Sequence, residues 1–399
     1  MVYHNRQANA LLFSCIILVS GLMAIDFINP SLPYIMKSFH ASEYSTKQLI
    51  VWFFFGICLS QFFYGSLSDN YGRKITIVGA LFLACIGILI SSYATSLDMM
   101  YLGRFINGLG SGGAPVIARA IIADVFINQQ SLKKAFSYYS MAGQISPAIV
   151  PVVGASIQQY YNWRFMYLAL FILNAIALTV ILIKFVETRT IPKTKVGYLR
   201  QIKIYLDIFK MGRFVAFSFA SVFIMFINFA YFSYLPFVFH KLHYLPLSYA
   251  LLYCVYALSL SVGSLILIKK LKHVPMDKLY IYCLGTSLSA VMLFMVLFSI
   301  LGDKIYLIIA MTVTFAFING ILLPLTNACC LSFAHKNKGS TSAALSFIRS
   351  TFLGLCFFVF NFIFIKNMTS ILICILIATL LVCICFILSG STLSREQSN

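Results

Sequence analysis

Ten acidic side chains occur in this chain of 399 residues, and nine of them stand at or near connections between apolar runs or in the tail. Glu43, Asp98 and Asp303 fall at one set of connections, Asp69, Asp124, Glu187, Asp207 and Asp277 at the alternate set, and Glu396 in the tail. Asp26 alone lies well inside a run, in MAIDFINPSLPYI. Two arginines, Arg104 and Arg349, are similarly deep, whereas Arg119 and Lys184 are near enough to run ends to extend toward a surface. At ~1.5 Å per residue, Asp26 is about 25 Å from the start of its run and Arg104 about 22 Å from the same side, so the two share a depth. Burial disfavours a carboxylate and a nearby guanidinium favours it, so whatever separates such a pair switches the carboxyl between proton-bound and ionised forms. The chemistry on offer is reversible proton binding. A static salt bridge joining two helices is the other reading, and for Arg104 it stands nearly level with a direct role.

The elements that position these groups follow from composition. The chain is 61% hydrophobic and 10% charged, with 38 Phe and 23 Tyr, a balance foreign to soluble domains. Runs of roughly 20 apolar residues, long enough to cross a ~30 Å hydrocarbon core, recur from end to end. The expected fold class is an all-α integral membrane protein with twelve transmembrane helices. Spans are read near 9–30, 47–67, 75–94, 99–122, 135–157, 163–186, 213–239, 246–268, 279–300, 304–330, 340–364 and 369–390. The interruption at 187–212 is polar and basic, giving a six-helix bundle over 1–186, a linker over 187–212, and a second bundle with a short tail over 213–399. The first span reads as uncleaved rather than as a signal peptide, since no small-residue cleavage site follows it.

The formal charge of +19 is topological. Alternate connections carry Arg73 and Lys74, Lys133 and Lys134, the basic linker, Lys269, Lys270, Lys272 and Lys278, then Lys336 and Lys338. The remaining connections hold few basic residues. By the positive-inside rule both termini and the linker are expected on the cytoplasmic side of the inner membrane, and a nucleic-acid partner loses its motive. Eleven Cys lie in apolar runs without redox or zinc spacing, and six His show no ligand cluster, so no metal site is expected. Connections are too short for a soluble catalytic domain. A membrane enzyme would need clustered His, paired carboxylates or an activated nucleophile within the spans, and one acid with no intramembrane His argues against it.

Polar residues at depth mark the expected substrate cavity: Asn29, Asn107, Gln144, Asn228, Asn319 and Arg349, with Tyr231 and Tyr234 because a phenol inside a span wants a polar partner. Each amide could equally bond helix to helix, the commoner use of such groups. Asn29 lies one helical turn beyond Asp26 on the same face. Pro30 and Pro33 either free carbonyls toward a cavity or end the span. Pro147, Pro151 and Gly154 are placed to bend the fifth span, with helix packing as the alternative.

Several of these segments carry a family resemblance. Gly65 to Lys74, GSLSDNYGRK, has the form G-x-L-x-D-x-x-G-R-K and resembles the signature loop of the major facilitator superfamily. Gly65 and Gly72 suit close approach and a tight turn, and the resemblance implies that Asp69 and Arg73 latch one conformation. Tyr101 to Gly113 is similar to the R-x-x-Q-G-x-G element with Asn107 in the Gln position, and Arg119 and Asp124 stand where they would join the latch or form a simple interfacial ion pair. The set D-x-x-x-P-x-L-P at Asp26 to Pro33, the prolines of span five and NWRFMY at Asn162 to Tyr167 is similar to the Bcr/CflA-type drug/proton antiporters. The chain departs from that branch at Ile28 and Asn29, and at Ser137, Ser146 and Val150 where glycines are usual.

The resemblance implies a proton-coupled transporter that exports small amphipathic molecules by alternating access, working as a monomer in the lipid bilayer with no cofactor beyond the proton gradient. The alternative is an importer or a dedicated siderophore or metabolite carrier. A single intramembrane carboxylate favours protons over sodium as the coupling ion.

Overall fold

The computed structural model describes residues 2–126, 128–189, 211–269, 274–332, 338–361 and 367–396, and these form helices and short connections with no strand among them. Most of the expected linker, residues 190–210, lies outside the described residues. Contacts divide the chain into two compact units, Met1–Gln201 with Phe239–Ala250, and Ile202–Val238 with Leu251–Asn399.

The first unit holds α1 (Val2–Asp26), a 3₁₀ turn (Asn29–Ser31), α2 (Leu32–Ser38), α3 (Glu43–Tyr71), α4 (Arg73–Ser92), α5 (Leu97–Ser111), α6 (Gly113–Val125), α7 (Gln129–Tyr160) and α8 (Trp163–Lys184). The chain itself writes the helix starts. Ser42, Ser96 and Asn162 accept backbone N–H groups of the first turns of α3, α5 and α8 at 2.9–3.2 Å, satisfying donors that have no intrahelical partner. At Gly72 the turn between α3 and α4 has φ +97°, in the region that favours glycine. Ile17, Ile77, Leu81, Ile117 and Ile121 form a core shared by α1, α4 and α6, closed at one side by Phe13 against Phe185.

The second unit contains most of α9 (Gly212–Lys241) and α10 (Pro246–Lys269), with α11 (Met276–Leu301), α12 (Ile305–Ser332), α13 (Lys338–Asn361) and α14 (Met368–Glu396). Tyr280 of α11 stacks on Phe386 of α14 with ring centres 4.7 Å apart, and its hydroxyl pairs with Thr326 of α12 at 3.1 Å.

Among the described residues ten helices, counting bent ones as one, are long and apolar enough to cross a membrane. α3, bent by 45° between Gln61 and Phe63, makes eleven, and α13 adds a shorter apolar stretch, Ala344–Phe360. The first span runs over Arg6–Ser38, longer than read from sequence, because the chain continues across the break after Asp26. α7 passes unbroken through both Pro147 and Pro151.

Both units use the same helix crossing. A Cβ at Gly56 or Gly108 would strike the carbonyl of Phe105 or Phe53 across the α3–α5 contact. Gly263 and Gly320 stand in the same reciprocal relation to Phe317 and Leu260 across α10–α12. Small residues let helices in lipid approach backbone to backbone, where dispersion replaces the missing hydrophobic force.

Candidate functional site

The polar centre of the first unit is the interruption of α1. Its last helical bond is Phe27 N–H to the Met23 carbonyl at 3.0 Å. Pro30, lacking an N–H, sits in the first turn of the 3₁₀ segment Asn29–Ser31 and Pro33 in the first turn of α2, so the helix stops at Asp26 and is restarted a few residues later. Three helices hold the interruption in place. From α5, Arg104 donates to the Ala24 carbonyl at 2.9 Å, and to the Leu49 carbonyl of α3 at 3.3 Å, while its guanidinium lies 4.1 Å from the Phe53 ring centre. From α7, Gly154 comes so close to the Phe27 carbonyl that a Cβ could not fit between them, and Gln158, one turn on, accepts the Ser31 hydroxyl at 2.6 Å. From α8, the sulfur of Met166 lies 3.0 Å from the same hydroxyl.

This geometry corrects the expected Asp26–Arg104 ion pair. Among the described residues Asp26 forms neither an ion pair nor a hydrogen bond, although it is 7% exposed. The arginine reaches the right helix but binds its backbone, because an interrupted helix leaves carbonyls that attract a cation at its C-terminal end. Arg104 therefore holds the helix end that carries Asp26. Asn29 is also corrected: the helix ends before it, so it starts the 3₁₀ turn, buried, instead of sharing a helical face with Asp26. Gly154 packs closely against the interruption, and the helix that carries it runs on through both prolines. Nearby in sequence to Met166, the Tyr167 hydroxyl is buried without a hydrogen-bond partner among the described residues.

Asn107, expected in the cavity, is turned toward α4, donating to the Ala84 carbonyl at 3.4 Å and accepting from Ser111. The side chain of Gln144 lies outside the described residues. In the second unit the expected residues bind one another. Asn319 donates to Asn228 at 2.9 Å, and Asn228 donates back to the Ile224 carbonyl of its own helix. Tyr231 pairs with Thr312 at 2.6 Å. Beside them is a void of about 10 Å³, room for about one water, lined by Asn228, Tyr231 and Thr312. Tyr234 is buried on the same helix. Arg349 of α13 donates to Asn327 of α12 at 2.5 Å and to Ser221 of α9 at 3.3 Å.

The signature loop forms a charge network at one end of the first unit. Arg73, 4% exposed, bonds Asp124 of α6 and Asp69 of α3, each at 2.8 Å, and Ser68, whose hydroxyl donates to the Gly65 carbonyl. Arg119 turns back to the Pro115 carbonyl at 2.8 Å. Sequence reading missed two members. Glu187, just past α8, accepts the backbone N–H groups of Arg73 and Lys74 at the start of α4 and of Thr188 and Arg189 in its own segment, all at 2.9–3.0 Å. Arg189 bonds Asp69. Partial burial works against the charge of Glu187, but those four donors and the helix N-terminus hold its carboxyl below the ordinary glutamate range. A Cβ on Gly72 would lie 2.6 Å from a Glu187 oxygen, so that glycine is fixed by space as well as by φ. The available signal was an acid immediately after an apolar run, which charge counting had filed as a connection residue.

A family model described as Major Facilitator Superfamily matches residues 12–359, most of the chain. The chain belongs to the Major Facilitator Superfamily. As a superfamily member it is a multi-pass membrane transporter of small molecules and not an enzyme. It is 24% identical over 350 residues to the uncharacterized MFS-type transporter YdgK of Bacillus subtilis, covering 86% of each chain. Over shorter regions it is 27% identical to multidrug resistance protein D of Escherichia coli, covering 43% of each, and 30% identical to multidrug resistance protein MdtL of Shewanella oneidensis, covering 42% of each. These relatives agree with the Bcr/CflA-type branch suggested by the motifs. A crystal structure of a D-xylose-proton symporter superposes with a TM-score of 0.73 over 95% of this chain and 97% of that one at 15% identity, which is a likeness of fold.

Proposed function

We propose that this superfamily member is a proton-coupled exporter of small amphipathic molecules that works by alternating access between two six-helix bundles. Counting α3 and α13 as spans gives twelve, with both termini and the basic linker on the cytoplasmic side of the inner membrane. It functions as a monomer, with the proton gradient as its energy source and no cofactor.

One observation carries this reading: Asp26 is a carboxyl buried at the end of an interrupted helix, with no donor to it among the described residues. A charged side chain at the centre of a span costs ~2.5–3.5 kcal/mol on insertion scales, and the C-terminal end of a helix gives a carboxylate no relief. A carboxyl so placed can change its charge only by taking up or giving up a proton as the surroundings change, which is the property an antiporter requires of its coupling residue. Arg104 and Gly154, by fixing the helix end, set where that exchange happens. Asp69, Arg73 and Asp124, clipped by Glu187, hold one of the two conformations.

Purified protein in proteoliposomes tests the assignment. With an imposed pH gradient, Asp26→Asn should abolish uphill substrate movement while leaving downhill exchange; unchanged proton-driven transport by that variant would remove Asp26 from the mechanism.

A further inference from the structure

At the end of the first unit opposite the signature loop, a cavity of about 540 Å³ opens between the end of α2 and the turn joining α7 to α8, with residues 245 and 246 at its edge. That volume is within the range of small-ligand sites. Its charge is one-sided. Lys37 and Arg164 line it, and no acidic residue does. Among the described residues neither cation makes an ion pair.

The cavity is built rather than merely open. Arg164 is fixed by two contacts: its guanidinium lies 4.1 Å from the Trp163 ring centre and donates to the Ala94 carbonyl at 2.9 Å. A guanidinium so held keeps further N–H donors, in the planar arrangement that fits a carboxylate. The α8 helix, 22 residues long, begins here. Asn162 caps it through its side-chain oxygen, which accepts from Arg164 N–H and Phe165 N–H, leaving the amide nitrogen as a donor. The positive end of α8 thus adds to the two cations. Around this polar corner stand the rings of Trp163, Tyr34 and Tyr161. Tyr34 is set edge-on against His240 at 5.5 Å, and Trp163 is packed against Phe39 at 5.6 Å, so these rings form a braced wall.

We propose that this cavity binds a small planar carboxylate: Arg164 and Lys37 take the carboxylate, and the aromatic wall takes the apolar ring. The site is separate from Asp26, and the assignment does not depend on proton coupling.

Two tryptophans occur in the chain, Trp52 and Trp163, so Trp52→Phe leaves the cavity residue as the single reporter. The full-length protein in detergent would be titrated with 4-nitrobenzoate and, in parallel, with neutral 4-nitrobenzamide, following Trp163 emission. Saturable quenching by the acid is expected, with the amide at least ~10-fold weaker, since it cannot form the charge-assisted hydrogen bonds. Arg164→Gln should weaken the acid roughly 10-fold and Lys37→Gln a few-fold. Arg164 also packs on Trp163, so Lys37→Gln, at an exposed position, decides the matter if Arg164→Gln fails to fold. Equal quenching by acid and amide, quenching that never saturates, or an acid affinity untouched by removal of Lys37 would overturn the proposal. The titration measures equilibrium binding without transport, so its failure leaves the Asp26 reading standing, and failure of that reading leaves this one standing.

Discussion

The two units treat buried polarity in opposite ways. In the second, amide answers amide and hydroxyl answers hydroxyl: Asn319 on Asn228, Tyr231 on Thr312, Tyr280 on Thr326. In the first, among the described residues, a carboxyl has no donor, an arginine spends its bonds on backbone, and the Tyr167 hydroxyl is unanswered. Saturated pairs fix helices against one another, because breaking one strands its partner in a medium without water. Unsaturated groups are costly unless something else binds them, which is the position a proton or a passing ligand can fill. The contrast sets the proposed coupling group of the first unit against mutually bonded polar pairs in the second.

The largest effect should separate Asp26 from Asn319 in one proteoliposome assay. Asp26→Asn is expected to eliminate uphill transport, whereas Asn319→Leu should retain it within about two-fold, as expected for a lost structural bond. Equal losses would erase the distinction between the units. Next in size is Gly154→Val, which drives a side chain into the Phe27 carbonyl and should lower stability by about 1–3 kcal/mol, read as a reduced midpoint in thermal unfolding. The same change at Gly285, where a Cβ meets nothing within 4 Å, should cost only the ordinary preference terms.

At the signature loop, Glu187→Gln should cost about 1 kcal/mol at neutral pH, by loss of a charge from a helix N-terminus. The sign follows from the native carboxyl lying below its ordinary value of ~4.3: its contribution is complete above that value and disappears as pH falls through the native one. Wild type and variant should therefore converge in acid; a difference that persists there would mean shape, not charge, does the holding. The smallest effect is expected within the amide pair, about 0.6 kcal/mol for Asn319→Leu, with Asn228→Leu and Asn319→Leu combined less destabilising than either alone. Unfolding in detergent by a denaturant series would resolve the order.

How much of this was legible in the sequence divides along a physical line. Run length, the spacing of Gly65 to Lys74 and the isolation of Asp26 are one-dimensional facts, and they led to the fold class, the family and the focus on the first span. Asp69, Arg73 and Asp124 do meet in ion pairs, charges at one boundary having few other partners, while Arg119 bonds the Pro115 carbonyl. What failed was direction. Asp26 and Arg104 do share a depth, yet depth does not say whether a guanidinium meets a side chain or a carbonyl, and that depended on Pro30 having interrupted the helix. Asn107 failed for the same reason, its face being set by the packing of α5 on α4. Glu187 was invisible because its partners are backbone groups, which every residue carries and no sequence advertises.

The reciprocal glycine crossings of α3 with α5 and of α10 with α12 carry one more consequence. Where two main chains touch directly, no rotamer is available to absorb a change, so each crossing behaves as a bare axle: the helices can swivel about it but cannot spread or slide along it. Each unit has such a crossing, and the first adds direct main-chain contacts of α5 with α4 at Gly87, Gly103 and Gly110. A side chain added at any of these glycines would force the two main chains apart, so a rearrangement that carries cargo is expected to leave both crossings intact.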